Sequence, residues 1–301
     1  MIWDATFWES VPRFITPLLL AALGGALCHR AGVFNIALEG MMLIGAFFAV
    51  VGSYFTASWL GGFGASLLAG LAAGAVYAFF SIRRRGDDIV VSIGMNILAV
   101  GLTVFLLRAL FDQRGQFDDP AIAVLPRVRL PGLDAVPVLG PLLSGQSVLF
   151  WLALALVPLL HWGFHGHRLG LRLRAAGDNA QALRTLGQSP LRIRTYAILA
   201  SGALCGLAGA QLSISNVSLF TEGMSAGRGW IAVVIVMMCA SRPLWCLPAA
   251  IFFGLVDAVG VRAQAFGLPQ QATDALPYVL AIGVMGAAAW RGRRSALQTG
   301  A

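Results

Sequence analysis

Residues 168–194, RLGLRLRAAGDNAQALRTLGQSPLRIR, form a polar segment that carries six of the chain's 21 basic residues. An apolar run of membrane-spanning length lies on each side of it, SVLFWLALALVPLLHWGF at 147–164 and TYAILASGALCGLAGAQLSIS at 195–215. Short loops rich in arginine lie on the cytoplasmic side of membranes. The segment is therefore predicted to be a cytosolic loop between two spans, where it is free to contact another protein.

Composition indicates a membrane protein. Hydrophobic residues make up 58% of the chain and charged residues 11%, whereas a soluble domain has about a quarter charged residues. The net charge of +8 comes from arginine alone and much of it lies between apolar runs. That distribution is a topology signal and not a nucleic-acid footprint, so no nucleic-acid partner is expected. Asp4 and Glu9 near the amino terminus favour a retained first span over a cleaved signal peptide.

The apolar runs predict the number of spans, since crossing a bilayer takes about 20 residues. Seven runs qualify, at 14–28, 33–56, 60–82, 89–110, 147–164, 195–215 and 272–290. A further stretch at 230–261 is interrupted by Ser241-Arg242-Pro243, and its first limb is too short to cross alone at about 1.5 Å per residue. The sequence therefore predicts one all-α, polytopic transmembrane helical bundle over residues 1–301. It would have about nine spans, or seven and a re-entrant hairpin.

Arginine placement predicts the orientation. With the amino terminus outside, fourteen arginines lie in inner segments and seven in outer ones. The positive-inside rule then predicts an outside amino terminus and an inside carboxyl terminus for either span count. The loop at 111–146 would be extracytoplasmic and the loop at 165–194 cytoplasmic. Glycines four apart, at Gly70 and Gly74 and at Gly202 and Gly206, would let helices approach closely.

A short helix is predicted inside the cytoplasmic loop. Asp178 or Asn179 is a good N-cap, residues 180–186 are helix-compatible, and Gly187 followed by Pro190 is a typical stop. The helix would present a small apolar face with arginines around it. The residues of that face are Ala182, Leu183 and Leu186. Such a helix is suited to press into a groove on a cytosolic subunit.

Several segments together resemble one family. RAAGDNAQALRTLG at 174–187 and SGALCGLAGA at 201–210 are similar to the coupling-helix segment and next span of ABC importer permeases of the ribose and branched-chain amino acid group. The resemblance is strongest to nucleoside permeases that work with a basic-membrane-protein lipoprotein. Further similar segments are GVFNIALEGMMLIGA at 32–46, DIVVSIGMNILAVGLT at 88–103, FTEGMSAGRGW at 220–230 and LPY at 276–278. CASRPLW at 239–245 departs from the family's usual glycine-bearing turn.

The resemblance implies a permease subunit in the bacterial plasma (inner) membrane. Its partners would be a second, longer permease subunit, cytosolic ABC ATPases and an extracytoplasmic solute-binding lipoprotein or protein, and its solute a small neutral molecule such as a nucleoside. The residues expected to couple it to the ATPase are Gly177, Asp178, Asn179, Ala182, Leu183, Leu186 and Gly187. A simple sugar or an amino acid is the alternative solute. A secondary transporter or channel is the alternative class, although inverted repeats and a coupling-ion acid would then be expected.

Polar residues inside apolar runs are candidates for a translocation path or gate. They are Asn35, Glu39, Asn96, Trp230 and Asp257. Asn35 and Glu39, four apart, are expected to share a helix face, with Arg30 satisfying Glu39 in a gate or structural role. Asp257 is expected to pair with Arg262.

Two further interpretations stay open at the sequence level. Ser92, Asn96 and Thr103 are compatible with one polar face of the fourth span, and hydrogen bonding between helices explains them equally well. Phe220 and Trp230 could stack on a base or anchor the chain at the membrane interface. Few fixed charges lie in the apolar runs, which suits an uncharged polar solute.

No cofactor, metal or catalytic site is expected. His161, His165 and His167 have a suggestive spacing, but no cysteine or acid lies near them in sequence. The four cysteines show no C-x-x-C spacing and fit a role as small buried apolar residues. There is no G-x-x-x-x-G-K-[ST] phosphate loop, so ATP hydrolysis would belong to a separate subunit.

Overall fold

A computed structural model describes residues 4–129, 139–264, 269, 271–273, 275–283 and 286. Its helices are α1 Ala5–Arg30, α2 Leu38–Thr56, α3 Trp59–Ala78, α4 Asp88–Phe111, α5 Leu139–Leu143, α6 Val148–Gly166, α7 Arg168–Asp178, α8 Ala180–Thr185, α9 Pro190–Ala210, α10 Arg228–Met238 and α11 Pro243–Gln264. The α3 and α9 helices continue as π-helical turns, Phe79–Arg83 and Gln211–Val217. Residues 271–273 and 275–283 are also helical.

The all-α polytopic bundle expected from the sequence is confirmed. In the described part of the chain, seven helices are long and apolar enough to cross a membrane. They are α1, α2, α3, α4, α6, α9 and α11. The stretch at 230–261 divides into an 11-residue α10, shorter than a span, and a 22-residue α11. The run at 272–290 lies only partly within the described residues.

Burial separates the helices into a centre and a periphery. In the apolar 18-residue stretch of each helix, 89% of the residues are buried in α1 and 83% in α9, but only 22% in α4. Both α1 and α2 pack on α9, and α3 packs on α2 and α9. A helix with a broad exposed apolar surface, such as α4, is suited to lipid contact because lipid tails are as apolar as leucine.

The predicted glycine pairs pack against each other. A Cβ on Gly70 of α3 would collide with the carbonyl of Gly202 on α9, and a Cβ on Gly202 would collide with that of Gly70. Gly206 likewise lies against Gly70 and against Gly45 of α2. These glycines bring three backbones into direct contact, which side chains of any size would prevent.

Short strands tie the loops together at one end of the bundle. Strand β1 (Gln116–Asp118) pairs antiparallel with β4 (Leu219–Thr221), and β2 (Arg127–Val128) pairs with β3 (Gln146–Ser147). The β1–β4 pair joins the loop after α4 to the segment after α9. Ser53 near the end of α2 donates to the carbonyl of Ala123 at 2.8 Å. The ends of α2, α4 and α9 therefore lie on the same side of the bundle.

Candidate coupling loop and translocation path

The polar loop between α6 and α9 contains two helices, where sequence patterns indicated one. Helix α7 ends at Asp178, and Asn179 separates it from α8. The side chain of Asn179 accepts a hydrogen bond from the Ala182 amide at 3.0 Å. Asn179 is therefore the N-cap of the second helix, and Asp178 is the last residue of the first.

The stop of α8 lies where the sequence predicts it. Gly187 has a φ of +70°, a conformation that favours glycine, and its amide donates to the Arg184 carbonyl at 2.9 Å. The next amide, of Gln188, donates to the Leu183 carbonyl at 3.1 Å. Ser189 then caps α9. The chain therefore passes from α8 to α9 through a turn of four residues, 186–189.

The exposed face of α8 is smaller than predicted. Leu186 is 76% exposed and Ala182 is exposed, but Leu183 is only 3% exposed. The prediction that Leu183 belongs to the outer apolar face is therefore wrong. Helix α8 packs on α7 and α9. Because adjacent helix residues point about 100° apart, Leu183 packs inward while Ala182 faces outward.

The loop is clamped to the link between α1 and α2. A Cβ on Gly177, near the end of α7, would collide with the carbonyl of Arg30. Arg194 of α9 donates from Nε to the Ala31 carbonyl at 3.1 Å and from Nη2 to the Ala176 carbonyl at 3.0 Å. Sequence reasoning identified Gly177 through the family pattern and missed Arg194, because nothing local distinguishes it from the other arginines of the loop.

The segment before α2 is not helical, and side chains of α4 satisfy its backbone. Two bonds reach its amides, from Phe34 N to Asp88 Oδ2 and from Ile36 N to Ser92 Oγ, each at 3.0 Å. Asn96 Nδ2 donates to the Ile36 carbonyl at 3.2 Å, and Asn96 Oδ1 accepts from the Gly40 amide, in the first turn of α2, at 2.8 Å. Residues four apart lie on one helix face. Backbone groups inside a membrane need such partners, so the hydrogen-bonding interpretation holds for Ser92 and Asn96. Thr103 bonds within its own helix, to Ala99 O at 2.8 Å.

The expectation that Asn35 and Glu39 share a helix face is wrong, because α2 begins at Leu38. Asn35 is buried. Its Oδ1 accepts from the Ala37 amide at 2.9 Å, and its Nδ2 donates to Ser201 Oγ at 3.4 Å. Asn35 therefore holds this non-helical segment in shape and ties it to α9.

Glu39 bonds the start of α10 and not the expected Arg30. Its carboxylate accepts from the amide of Gly227 at 2.8 Å and from that of Gly229 at 2.6 Å. Negative charge is favoured there because the amides at a helix N-terminus carry partial positive charge. A Cβ on Gly229 would collide with the backbone of Glu39. The first turns of α2 and α10 thus meet through one carboxylate and one glycine.

The two aromatic candidates differ in accessibility. Phe220 in β4 is fully buried and packs edge-on against Phe47, with ring centroids 5.1 Å apart. Trp230, in the first turn of α10, is 43% exposed. Stacking of Phe220 on a solute is therefore excluded, and the accessible ring is that of Trp230.

Asp257 lies apart from Asn35 and Asn96, in a pocket of about 290 Å³. The polar residues lining this pocket are Arg228, Asp257, Gln264, Thr273 and Tyr278. Arg228 lies between the two glycines that bond Glu39, so the pocket borders that contact. Arg262, the expected partner of Asp257, forms an ion pair with Asp4 at 3.0 Å.

The four cysteines are free and buried. No group of three or more histidine, cysteine or acidic residues within the described ranges could hold a metal ion.

A family model supports the resemblance seen in the sequence. The model described as the permease component of branched-chain amino acid transport systems matches residues 9–285.

Individual relatives match over most of their length. The guanosine ABC transporter permease protein NupQ of Bacillus subtilis is 32% identical over 89% of this chain and 87% of its own. A putative glucose ABC transporter permease protein, TsgC13 of Haloferax volcanii, is 33% identical over 89% of this chain and 80% of its own. Bacillus subtilis has a second relative, the guanosine permease protein NupP, 26% identical over 91% of this chain and 80% of its own.

A solved structure has a similar fold. It is an inward-facing conformation of a putative metal-chelate type ABC transporter, which aligns with a TM-score of 0.54 at 19% identity over 93% of this chain and 85% of that one. At that identity the likeness concerns the fold alone. The chain belongs to the branched-chain amino acid transport system permease family and is a multi-pass plasma-membrane permease subunit of an ABC transporter, without ATPase activity of its own.

Proposed function

We propose that this chain translocates nucleosides into the cell as one of two permease subunits of an ABC importer. The relatives NupQ and NupP, both guanosine permease proteins, support this solute class. The scarcity of ionisable residues in the spans supports it too, because a charged solute would lack partners there. A nucleoside is polar, carries no charge and has a base on which an accessible ring such as that of Trp230 can stack.

One contact carries the mechanism: the clamp between the coupling loop and the α1–α2 link. Displacement of α8 by an ATPase would move Gly177 and Arg194, which hold the backbone at residues 30–32. The non-helical segment at 33–37 continues from there to Glu39, which bonds the first turn of α10. Motion at the cytosolic surface therefore has a bonded route to the interior of the membrane domain.

We propose nine crossings with the amino terminus outside. The β1–β4 pairing supports a start of the 222–238 segment at the extracytoplasmic end, and the 2.6 Å contact of Ser241 with His29 supports an end at the cytosolic side of α1. An 11-residue helix is about 16 Å long, so the turn at 222–227 would supply the remaining depth. The Arg262–Asp4 ion pair supports the return of α11 to the outer side.

The domain boundaries and partners follow from this topology. Residues 165–194 form the cytoplasmic coupling loop, on which ATPase subunits dock through Ala182 and Leu186. Residues 111–146 form the extracytoplasmic loop that receives a solute-binding lipoprotein or protein. A second permease subunit completes the pathway, as the presence of two such proteins in Bacillus subtilis supports.

A simple sugar is the second candidate solute, because TsgC13 is described as a glucose permease. Uptake of labelled guanosine, uridine, glucose and leucine by cells that express the chain with its partner subunits separates the two. We expect both nucleosides to accumulate and excess unlabelled glucose not to compete. Uptake of glucose or leucine without nucleoside uptake would contradict the nucleoside proposal and leave membership of the permease family intact.

The same assay tests Trp230. We expect Trp230→Ala to reduce nucleoside uptake, whereas Trp245→Ala, which removes another exposed tryptophan, leaves uptake unchanged. An unaltered uptake profile for Trp230→Ala would remove that ring from the path.

A further inference from the structure

A large cleft separates the coupling loop from the spans beside it. It has a volume of about 950 Å³ and lies between the end of α6, helix α7 and the start of α9. Its walls are apolar, with Leu159, Leu160, Phe164, Ile193 and Ala197 among their residues. Leu159 and Trp162, on α6, are more than half exposed, so the cleft opens toward the side of α6 that faces lipid.

Basic side chains also line the cleft. Arg172 of α7 and Arg192 of α9 line it, together with His167, Gln188 and Ser189. The lining residues that the structure describes include no aspartate or glutamate. Arg172 and Arg192 are exposed within the chain, so their charge is available to a ligand.

A second cleft extends the basic surface. It has a volume of about 370 Å³ and shares Arg192 and Tyr196 with the first. Its other lining residues include Arg83 and Arg85, which follow α3. Four arginines therefore surround two neighbouring openings at the same surface.

We propose that the larger cleft binds one anionic phospholipid of the cytosolic leaflet. Its phosphate lies between Arg172 and Arg192, and its acyl chains follow the apolar walls along α6 and α9. Charge complementarity selects this occupant, since basic clusters at the cytosolic membrane surface attract anionic headgroups. The inference rests on the proposed orientation, which puts this surface at the cytosolic leaflet.

The geometry favours a lipid over the ATPase in this cleft. Leu186, the exposed apolar side chain that follows α8, does not line the cleft, and the one residue of the predicted ATPase-coupling set that does, Gly187, has no side chain. Trp162 on α6 lines the cleft. Tryptophan is enriched at the level of lipid headgroups. A Cβ on Gly170 of α7 would collide with the carbonyl of Gly163 on α6, so the two backbones touch here. A lipid bound in the cleft would stabilise this junction, where the coupling loop leaves the membrane.

The test measures lipid retained by the complete purified transporter, using native mass spectrometry after exchange into mixtures of phosphatidylglycerol and phosphatidylcholine. We expect selective retention of phosphatidylglycerol, reduced about fivefold for each arginine replaced in Arg172→Gln and Arg192→Gln. The matched control is Arg168→Gln, since Arg168 is exposed on the same loop and does not line the cleft. Arg172→Lys and Arg192→Lys keep the charge and should retain most of the lipid.

Three outcomes would overturn the proposal: equal retention of both lipids, equal loss in the Arg168→Gln control, or release of phosphatidylglycerol when the ATPase is added to purified permease. The last would identify the cleft as a protein interface. Lipid retention is measured without solute or transport, so the result can be interpreted even if the nucleoside proposal fails. Labelling of single cysteines introduced at exposed positions tests the orientation separately.

Discussion

At the scale of single residues, side chains in the interior of the membrane domain hydrogen-bond backbone groups that are outside regular helices or at their first turns. Ser92 and Asn96 bond the non-helical segment before α2, and Glu39 bonds two amides of the turn into α10. The sequence indicates that these residues are unusual because polar groups are rare in spans. It does not indicate their partners, because Gly227 is 188 positions from Glu39. A contact of that range has no local pattern.

Replacing Glu39 tests its role at the α2–α10 contact. Glutamine has one acceptor oxygen where the carboxylate has two, so Glu39→Gln would turn an NH2 donor toward one of the two glycine amides. Loss of a bond to a charged group costs about 1.5–3 kcal/mol. We expect a lower melting temperature and a lower maximal uptake rate, with little change in the solute concentration at half-maximal uptake.

The control for this change is Glu222→Gln. Glu222 is exposed and accepts a single bond from the Gly115 amide at 3.1 Å, which glutamine can also accept. This variant should resemble the unmodified protein. A Glu39→Gln protein with normal maximal rate but weakened solute affinity would instead identify Glu39 as a solute contact.

At the scale of elements, the ends of a helix are easier to predict from the sequence than a non-helical interruption of a span. Asn179 and Gly187 bound α8 as the sequence indicates, because capping depends on neighbouring residues. The sequence predicts residues 33–37 as part of a helix, because GVFNIAL is largely apolar and shows no break, but the segment is not helical. Bonds from α4, more than fifty residues away, and from the Asn35 side chain hold the non-helical backbone there. Helix α7 was missed because its cap is His167, a residue outside the usual N-cap set.

Helix α8 is expected to dock on the ATPase through Leu186. An aspartate at that exposed site would place a charge in an apolar groove, so Leu186→Asp should abolish ATPase attachment and uptake while the chain stays inserted in the membrane. Pull-down of the ATPase with the tagged permease measures attachment. Gln181→Asp, which adds the same charge at an exposed position of α8, should leave attachment unchanged.

The contrasting variant is Leu183→Ala. Because Leu183 is buried, its truncation should lower stability by about 2–5 kcal/mol and reduce attachment only in proportion to the folded protein that remains. Full ATPase recovery and normal transport by Leu186→Asp would show that α8 is not the docking element.

At the scale of the whole molecule, arginine placement predicts which side is cytosolic, and tertiary contacts bring together the segments that this topology assigns to each side. Fourteen arginines lie in inner segments and seven in outer ones, a sequence property that the positive-inside rule interprets without any coordinates. The β1–β4 pairing and the Ser241–His29 contact join the loops that this orientation assigns to the same sides. The span count was ambiguous from sequence because α10 is too short to cross and too apolar to be a loop.

Labelling of single cysteines tests both orientation and count in a background without the four native cysteines. Exposed positions are available at Gln116 in β1, Gln181 in α8 and Arg242 between α10 and α11. With an impermeant reagent, Gln116→Cys should react in intact spheroplasts, and Gln181→Cys and Arg242→Cys only after lysis. Reaction of Gln181→Cys from outside would contradict the orientation. The Arg242 position decides the count, because nine crossings put it in the cytosol, whereas a hairpin entering from outside would bury it within the membrane, unreactive before and after lysis.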